Sequence, residues 1–116
     1  SRQAQRAVLQ GRLFLDEGKL YAARQTLLEG LDDSQIAPLA TYWLGAVSYA
    51  LSDTRTAEQY WLDALQANPS HVDTHRSLAM IYYDRGAISL YGLIFVIAGF
   101  VLYFASSVIA PRKTRN

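Results

Sequence analysis

The sequence predicts an all-α chain: a short solenoid of helical hairpins followed by one transmembrane helix. Three observations carry this. Residues 88–110 form an uninterrupted run of 23 without a single charged side chain. The 93 residues outside that run place their apolar side chains at helical spacing, not in alternation. Those 93 residues also repeat themselves with a period of 34.

Composition alone hides this division. The chain has 116 residues, 51% hydrophobic and 18% charged, with a mean hydropathy of +0.02. Eighteen of the 23 residues in the uncharged run are hydrophobic, the exceptions being Ser89, Gly92, Gly99, Ser106 and Ser107. The remainder is about 44% apolar and holds all the charge, the balance of a small soluble domain. That remainder is too short for a typical multi-domain enzyme. The lack of cysteine removes disulfide frameworks, cysteine zinc sites and cysteine nucleophiles, and is neutral about compartment. The net charge of +1 comes from Arg112, Lys113 and Arg115; residues 1–110 carry −2 and offer no basic face for nucleic acid.

Taken in order, the periodicity predicts helices over 3–16, 19–31, 37–51, 54–67 and 71–84. Turns are expected at Glu17-Gly18, Leu31 to Gln35, Ser52-Asp53 and Asn68-Pro69, where glycine, proline and short polar side chains cluster. Asp32 and Asp33 follow a helix end and are read as turn hydrogen-bonders. Ser70 followed by Asp73 is a capping-box signature for the fifth helix. Small residues at Gly11, Gly45 and Ala79 are expected to let two helices cross closely, with Phe14, Trp61 and Tyr82 filling the space around the crossing.

Residues 41–69 read TYWLGAVSYALSDTRTAEQYWLDALQANP, with Leu44, Gly45, Tyr49, Ala57, Trp61, Ala64 and Pro69 at fixed offsets. A shift back by 34 gives Gly11, Phe14, Gly18, Ala23, Leu27 and Gly30; a shift forward gives Leu78, Ala79, Tyr82 and Gly86. This pattern resembles the tetratricopeptide repeat (TPR) over about residues 3–86, in two and a half repeats. The first repeat departs from it, with Gln10 where leucine is usual and no terminal proline, as a degenerate capping repeat or one preceded by further residues would. The third has only its first helix. The membrane segment begins where its second helix would, so the expected domains are repeats over 1–86, a transmembrane helix over 87–110 and a basic tail over 111–116. A turn at Arg85-Gly86 is expected to carry the chain from one to the other without a flexible linker.

The uncharged run, at about 1.5 Å per helical residue, reaches roughly 35 Å, enough for a hydrocarbon core of about 30 Å with modest tilt. Pro111 is expected to end it, Arg112, Lys113 and Arg115 to lie at lipid headgroups, and Tyr82, Tyr83 and Tyr91 near the opposite interface. Its C-terminal position argues against a signal peptide. Gly92, Gly99 and Ser106 recur every seven residues, with Ala98 and Ala105 beside them. Such a stripe lets a second helix approach closely and predicts a helical partner; the competing reading is a passive anchor facing lipid.

The resemblance implies that the first helix of each pair lines a concave protein-binding groove. Its outward positions are Gln5, Val8, Arg12 and Leu15, then Leu39, Tyr42, Ala46 and Tyr49, then Asp73, Arg76, Met80 and Tyr83. Arg12, Tyr42, Tyr49, Arg76, Met80 and Tyr83 are the candidate binding residues, since aromatic and arginine side chains dominate interface hot spots. Tyr49 and Tyr83 read equally well as core. Family members that clamp the acidic C-termini of chaperones use Lys and Asn where this chain has Val8, Arg12, Trp43, Asp73 and Ser77, so that ligand is not expected.

Signals for chemistry are sparse. His71 and His75 share a helix face at a metal-compatible spacing, but no third ligand is evident and two solvated histidines are the simpler reading. No phosphate loop, nucleophile elbow or dinucleotide fingerprint occurs. No cofactor, small-molecule substrate or enzymatic activity is therefore expected. The expectation is a scaffold, assembly factor or stabilising accessory subunit of a membrane protein complex. The alternatives are a tail-anchored adaptor for soluble partners and a non-catalytic subunit of a catalytic complex. For orientation, the basic tail outweighs Arg76 and Arg85 by one charge, which favours a cytoplasmic tail and repeats on the outer side. Opposing this, no export signal is visible, and Ser1 is what removal of an initiator methionine leaves, although a cleaved leader leaves the same trace.

Overall fold

The computed structural model describes residues 1–115, excepting the side chains of 87–89 and 109–115. Among the described residues the chain is all-α and has no strand. Its helices are α1 (Arg2–Asp16), α2 (Leu20–Glu29), α3 (Ala37–Ala50), α4 (Thr54–Ala67) and α5 (Val72–Arg115), with a 3₁₀ turn at Gly30–Asp32. By its internal contacts the chain divides into two units, Ser1–Ile81 and Tyr82–Asn116.

In the first unit α1 packs on α2, and α3 on both α2 and α4, so helix pairs stack as a helical repeat requires. Local chemistry sets the ends. Ser1 Oγ accepts from the Ala4 amide at 3.2 Å and caps α1. Gly18 then takes φ +78°, the left-handed conformation that stops a helix. The amides of Gly18 and Lys19 donate back to Leu15 O at 3.0 Å and Phe14 O at 2.8 Å. Thirty-four residues later the same motif closes α3: Ser52 has φ +64°, and the Ser52 and Asp53 amides donate to Tyr49 O and Ser48 O, both at 2.9 Å. The two turns are therefore the same structure, not merely the same sequence pattern. Pro38 sits in the first turn of α3, where its missing N–H leaves no bond unmade.

Two clusters form the core. Ala23, Leu27, Leu44 and Val47 are completely buried, with Phe14, Leu20, Trp43 and Tyr60 packed against them. Ala57, Trp61, Leu78 and Ile81 form the second, with Tyr42, Ala46 and Tyr49 around it. Side chains of the size of Leu27 and Leu44 each contribute about 1.5–3 kcal/mol on full burial. The small residues work as the spacing predicts in repeats one and two. A Cβ built at Gly11 would stand 2.5 Å from Leu27 Cγ, and one at Gly45 would stand 2.3 Å from Trp61 Nε1. Both helix pairs thus approach more closely than any side chain allows.

Several expectations are corrected. Ala79, the third small residue, is exposed, as is Tyr82, because the helix that would cross there is missing. Instead of turning at Arg85-Gly86 the chain stays helical. A glycine permits a left-handed turn but does not compel one. Nor does the helix end at Pro111; its backbone runs to Arg115, since a proline deletes one rung of the ladder without forbidding the turns beyond it. The capping box also fails. α5 begins at Val72, and Ser70 Oγ donates to Asn68 Oδ1 at 3.2 Å, leaving the capping position to His71. Finally α2 stops at Glu29 and tightens into the 3₁₀ turn, with Gly30 wedged 3.1 Å (as a virtual Cβ) from Ala40.

In the second unit, the described side chains from Leu90 to Val108 are all exposed, Phe95 at 77%. Among the described residues one helix, Val72–Val108, is long and apolar enough to cross a membrane, with a mean hydropathy of 2.3 in its most apolar window and none of that window buried.

Candidate functional site

The groove positions derived from the repeat divide into three groups once the helices are assembled. Gln5, Val8, Arg12 and Leu39 come together around a cleft of about 300 Å³ between α1 and α3. Val8 forms its floor, buried to 3% exposure under Gly30, and so does not point outward as expected. Leu9 and Ile36 complete the walls. Periodicity overlooks them because Leu9 lies one helical position off the groove stripe and Ile36 precedes α3 altogether.

Arg12 is the one charge on the cleft. Its guanidinium lies 4.5 Å over the ring of Trp43, a cation–π contact that holds the charged group flat against α3. Trp43 packs on the first core cluster, and its indole Nε1 is buried with no acceptor among the described residues. A buried donor left unpaired is costly and marks a place where an acceptor is wanted.

Tyr42, Ala46 and Tyr49 belong instead to the core. Tyr49 packs 6.0 Å from the Trp61 ring, and Tyr42 accepts the Trp61 Nε1–H bond on its carbonyl oxygen at 3.0 Å. Tyr42 also meets the rings of Trp43 at 5.0 Å and His71 at 5.1 Å, edge on. Of the two tyrosines with an even choice, Tyr49 is therefore core, while Tyr83 is 76% exposed. Arg76, Met80 and Asp73 are exposed on α5, and Arg76 makes a loose, solvent-screened pair with Asp73 at 3.7 Å.

The remaining polar candidates are engaged locally. His71 Nδ1 shares a 2.6 Å hydrogen bond with Thr74 Oγ1, and His75 Nε2 donates to Pro69 O at 2.6 Å. One ring nitrogen of each histidine is thus engaged locally, and no group of three ligating side chains occurs among the described residues. Asp33 makes the expected turn bonds, accepting from Gln35 N at 2.9 Å, and binds the Ser1 ammonium group, which chiefly lowers its pKa. No comparable bond forms at Asp32, which lies in the 3₁₀ turn.

On the membrane-length helix, Gly92, Ala98, Gly99, Ala105 and Ser106 are exposed, and a Cβ at Gly92 or Gly99 would meet nothing within 4 Å. The stripe is open to a neighbouring helix. Arg112, Lys113 and Arg115, expected at headgroups, have side chains outside the described residues. No family model, curated protein or solved structure matches the chain.

Proposed function

We propose that this chain is a single-pass membrane protein of the TPR type that acts as a scaffold, assembly factor or stabilising accessory subunit of a membrane protein complex. Its repeats bind a protein partner and its apolar helix packs beside partner helices. The observation that carries the reading is a conjunction: stacked helix pairs with an open, arginine-edged cleft are joined to a helix whose described side chains from Leu90 to Val108 are all exposed. Exposed apolar area of that extent is unfavourable in water by about 25 cal/mol per Å² and calls for lipid and protein around it. No enzymatic role is proposed.

Lipid solvates a uniformly apolar helix, so association between helices depends on close backbone approach. Gly99 lies at the centre of the small-residue stripe, and Gly99→Leu blocks that approach while leaving the helix apolar enough to span. On a native gel after mild-detergent extraction, the complex is expected to dissociate in the variant. An intact complex contradicts helix docking.

The exposure of this helix on every side also favours a second reading, a tail-anchored adaptor recruiting soluble partners, in which the helix only anchors. Replacing residues 88–110 with an unrelated anchor separates the two: the adaptor keeps its function and the docked subunit loses it. Protease protection of the repeats in sealed vesicles decides orientation, for which the basic tail supports a cytoplasmic C-terminus.

A further inference from the structure

Repeats one and two each cover the same face of their first helix, and the third leaves it open. In the first, Ala7 and Gly11 are buried with Leu27 pressed against the glycine; in the second, Gly45 is buried under Trp61. Thirty-four residues further on, His75 and Ala79 are exposed, and so is Val72 one turn before. These three side chains form a stripe without formal charge, beside the Leu78 and Ile81 face that packs on Trp61, so the stripe is continuous with the second core cluster. The exposed Arg76, held only by Asp73 at 3.7 Å, flanks it.

We propose that this stripe is the docking site for an amphipathic helix of a partner protein, which takes the place that α2 takes on Gly11 and α4 on Gly45. The covering helices define its chemistry. Each sets a bulky apolar residue on the small one, with alanine four positions before and a small residue three after: Ala23 and Leu27 in α2 with Gly30 just past its end, and Ala57, Trp61 and Ala64 in α4. The incoming helix carries the same triplet, and an acidic side chain near it complements Arg76. A second copy of this chain has no such helix to spare, because its own Leu27 and Trp61 are already buried. The inference rests on the reading of the repeats as a protein-binding module and names the kind of segment they bind.

The probe is a dye-labelled peptide of residues 54–67, made helical by a lactam between Gln59→Lys and Asp63, both solvent-facing in α4. It is titrated by fluorescence anisotropy against the full chain in phosphatidylcholine nanodiscs. Saturable binding is expected, tightened several-fold by Ala79→Gly, which recreates the Gly45 surface, and weakened at least tenfold by Ala79→Arg or by Trp61→Ala in the peptide. Arg24→Ala, on the exposed face of α2, leaves it unchanged. Absence of binding, insensitivity to Ala79→Arg, or loss with Arg24→Ala overturns the proposal. The chain has no native cysteine, so two further outcomes are readable: disulfide pairing between two Ala79→Cys chains assigns the stripe to a second copy, and an internal Ala79→Cys, Phe95→Cys bond assigns it to the chain's own apolar segment. Either overturns it. A native complex that persists in Ala79→Arg sinks this inference and leaves the proposed function standing.

Discussion

Gly45 lacks a side chain because Trp61 occupies the space one would need. Gly45→Ala places a methyl 2.3 Å from the indole nitrogen, and Trp61 is fixed at that end by its bond to Tyr42 O. Overpacking of this kind costs about 1–3 kcal/mol despite alanine's higher helix propensity, and chemical unfolding followed by circular dichroism is expected to read that loss. Ser52 is the opposite case. At φ +64° and exposed, it holds a conformation that only glycine adopts without strain, so Ser52→Gly is expected to raise stability by about 0.5–1 kcal/mol in the same assay. The equivalent Gly18 shows the solution already in use. Glycine positions were legible in the sequence because the close approach recurs at a fixed interval. Val8 and Trp43 were not, since what buries them is a neighbouring helix at an angle that periodicity within one helix does not encode.

At the scale of elements, helix starts follow short-range chemistry, and all five helices begin within about a residue of where the pattern puts them. Asp53 illustrates why. As the cap of α4 it accepts from the Thr56 hydroxyl and from the Thr56 amide at 3.2 Å, bonds that hold its pKa below the ordinary 3.8. A lowered folded-state pKa means that the charged cap stabilises the fold above pH 3.8 and that this contribution disappears as pH falls further. The melting temperature of wild type is therefore expected to exceed that of Asp53→Ala at pH 7, with the gap narrowing below pH 3.8; Asp53→Asn, an uncharged cap, lacks this dependence. The element that sequence reasoning misjudged is α5. Local signals at Gly86 and Pro111 each suggest a boundary, yet neither interrupts the helical backbone. Such signals state what a residue permits, and an apolar run of this length favours an unbroken helix because every backbone group is then paired within it.

For the molecule as a whole, the division at residue 81 separates a unit with its own core from a unit whose described apolar side chains have none. The uncharged run from Ile88 is readable from the sequence alone, and it begins seven residues after that division. The candidate cleft was readable only in part: Gln5, Val8, Arg12 and Leu39 lie on it, but the aromatic positions of α3 turned inward to complete the core. At this scale the proposed function requires the repeats and the apolar helix to act together within a larger membrane assembly. Extraction of the full chain from its membrane in mild detergent, followed by size analysis and mass spectrometry of what travels with it, tests this directly. A stoichiometric complex containing at least one other membrane protein is predicted, and a monomeric chain without partners contradicts it.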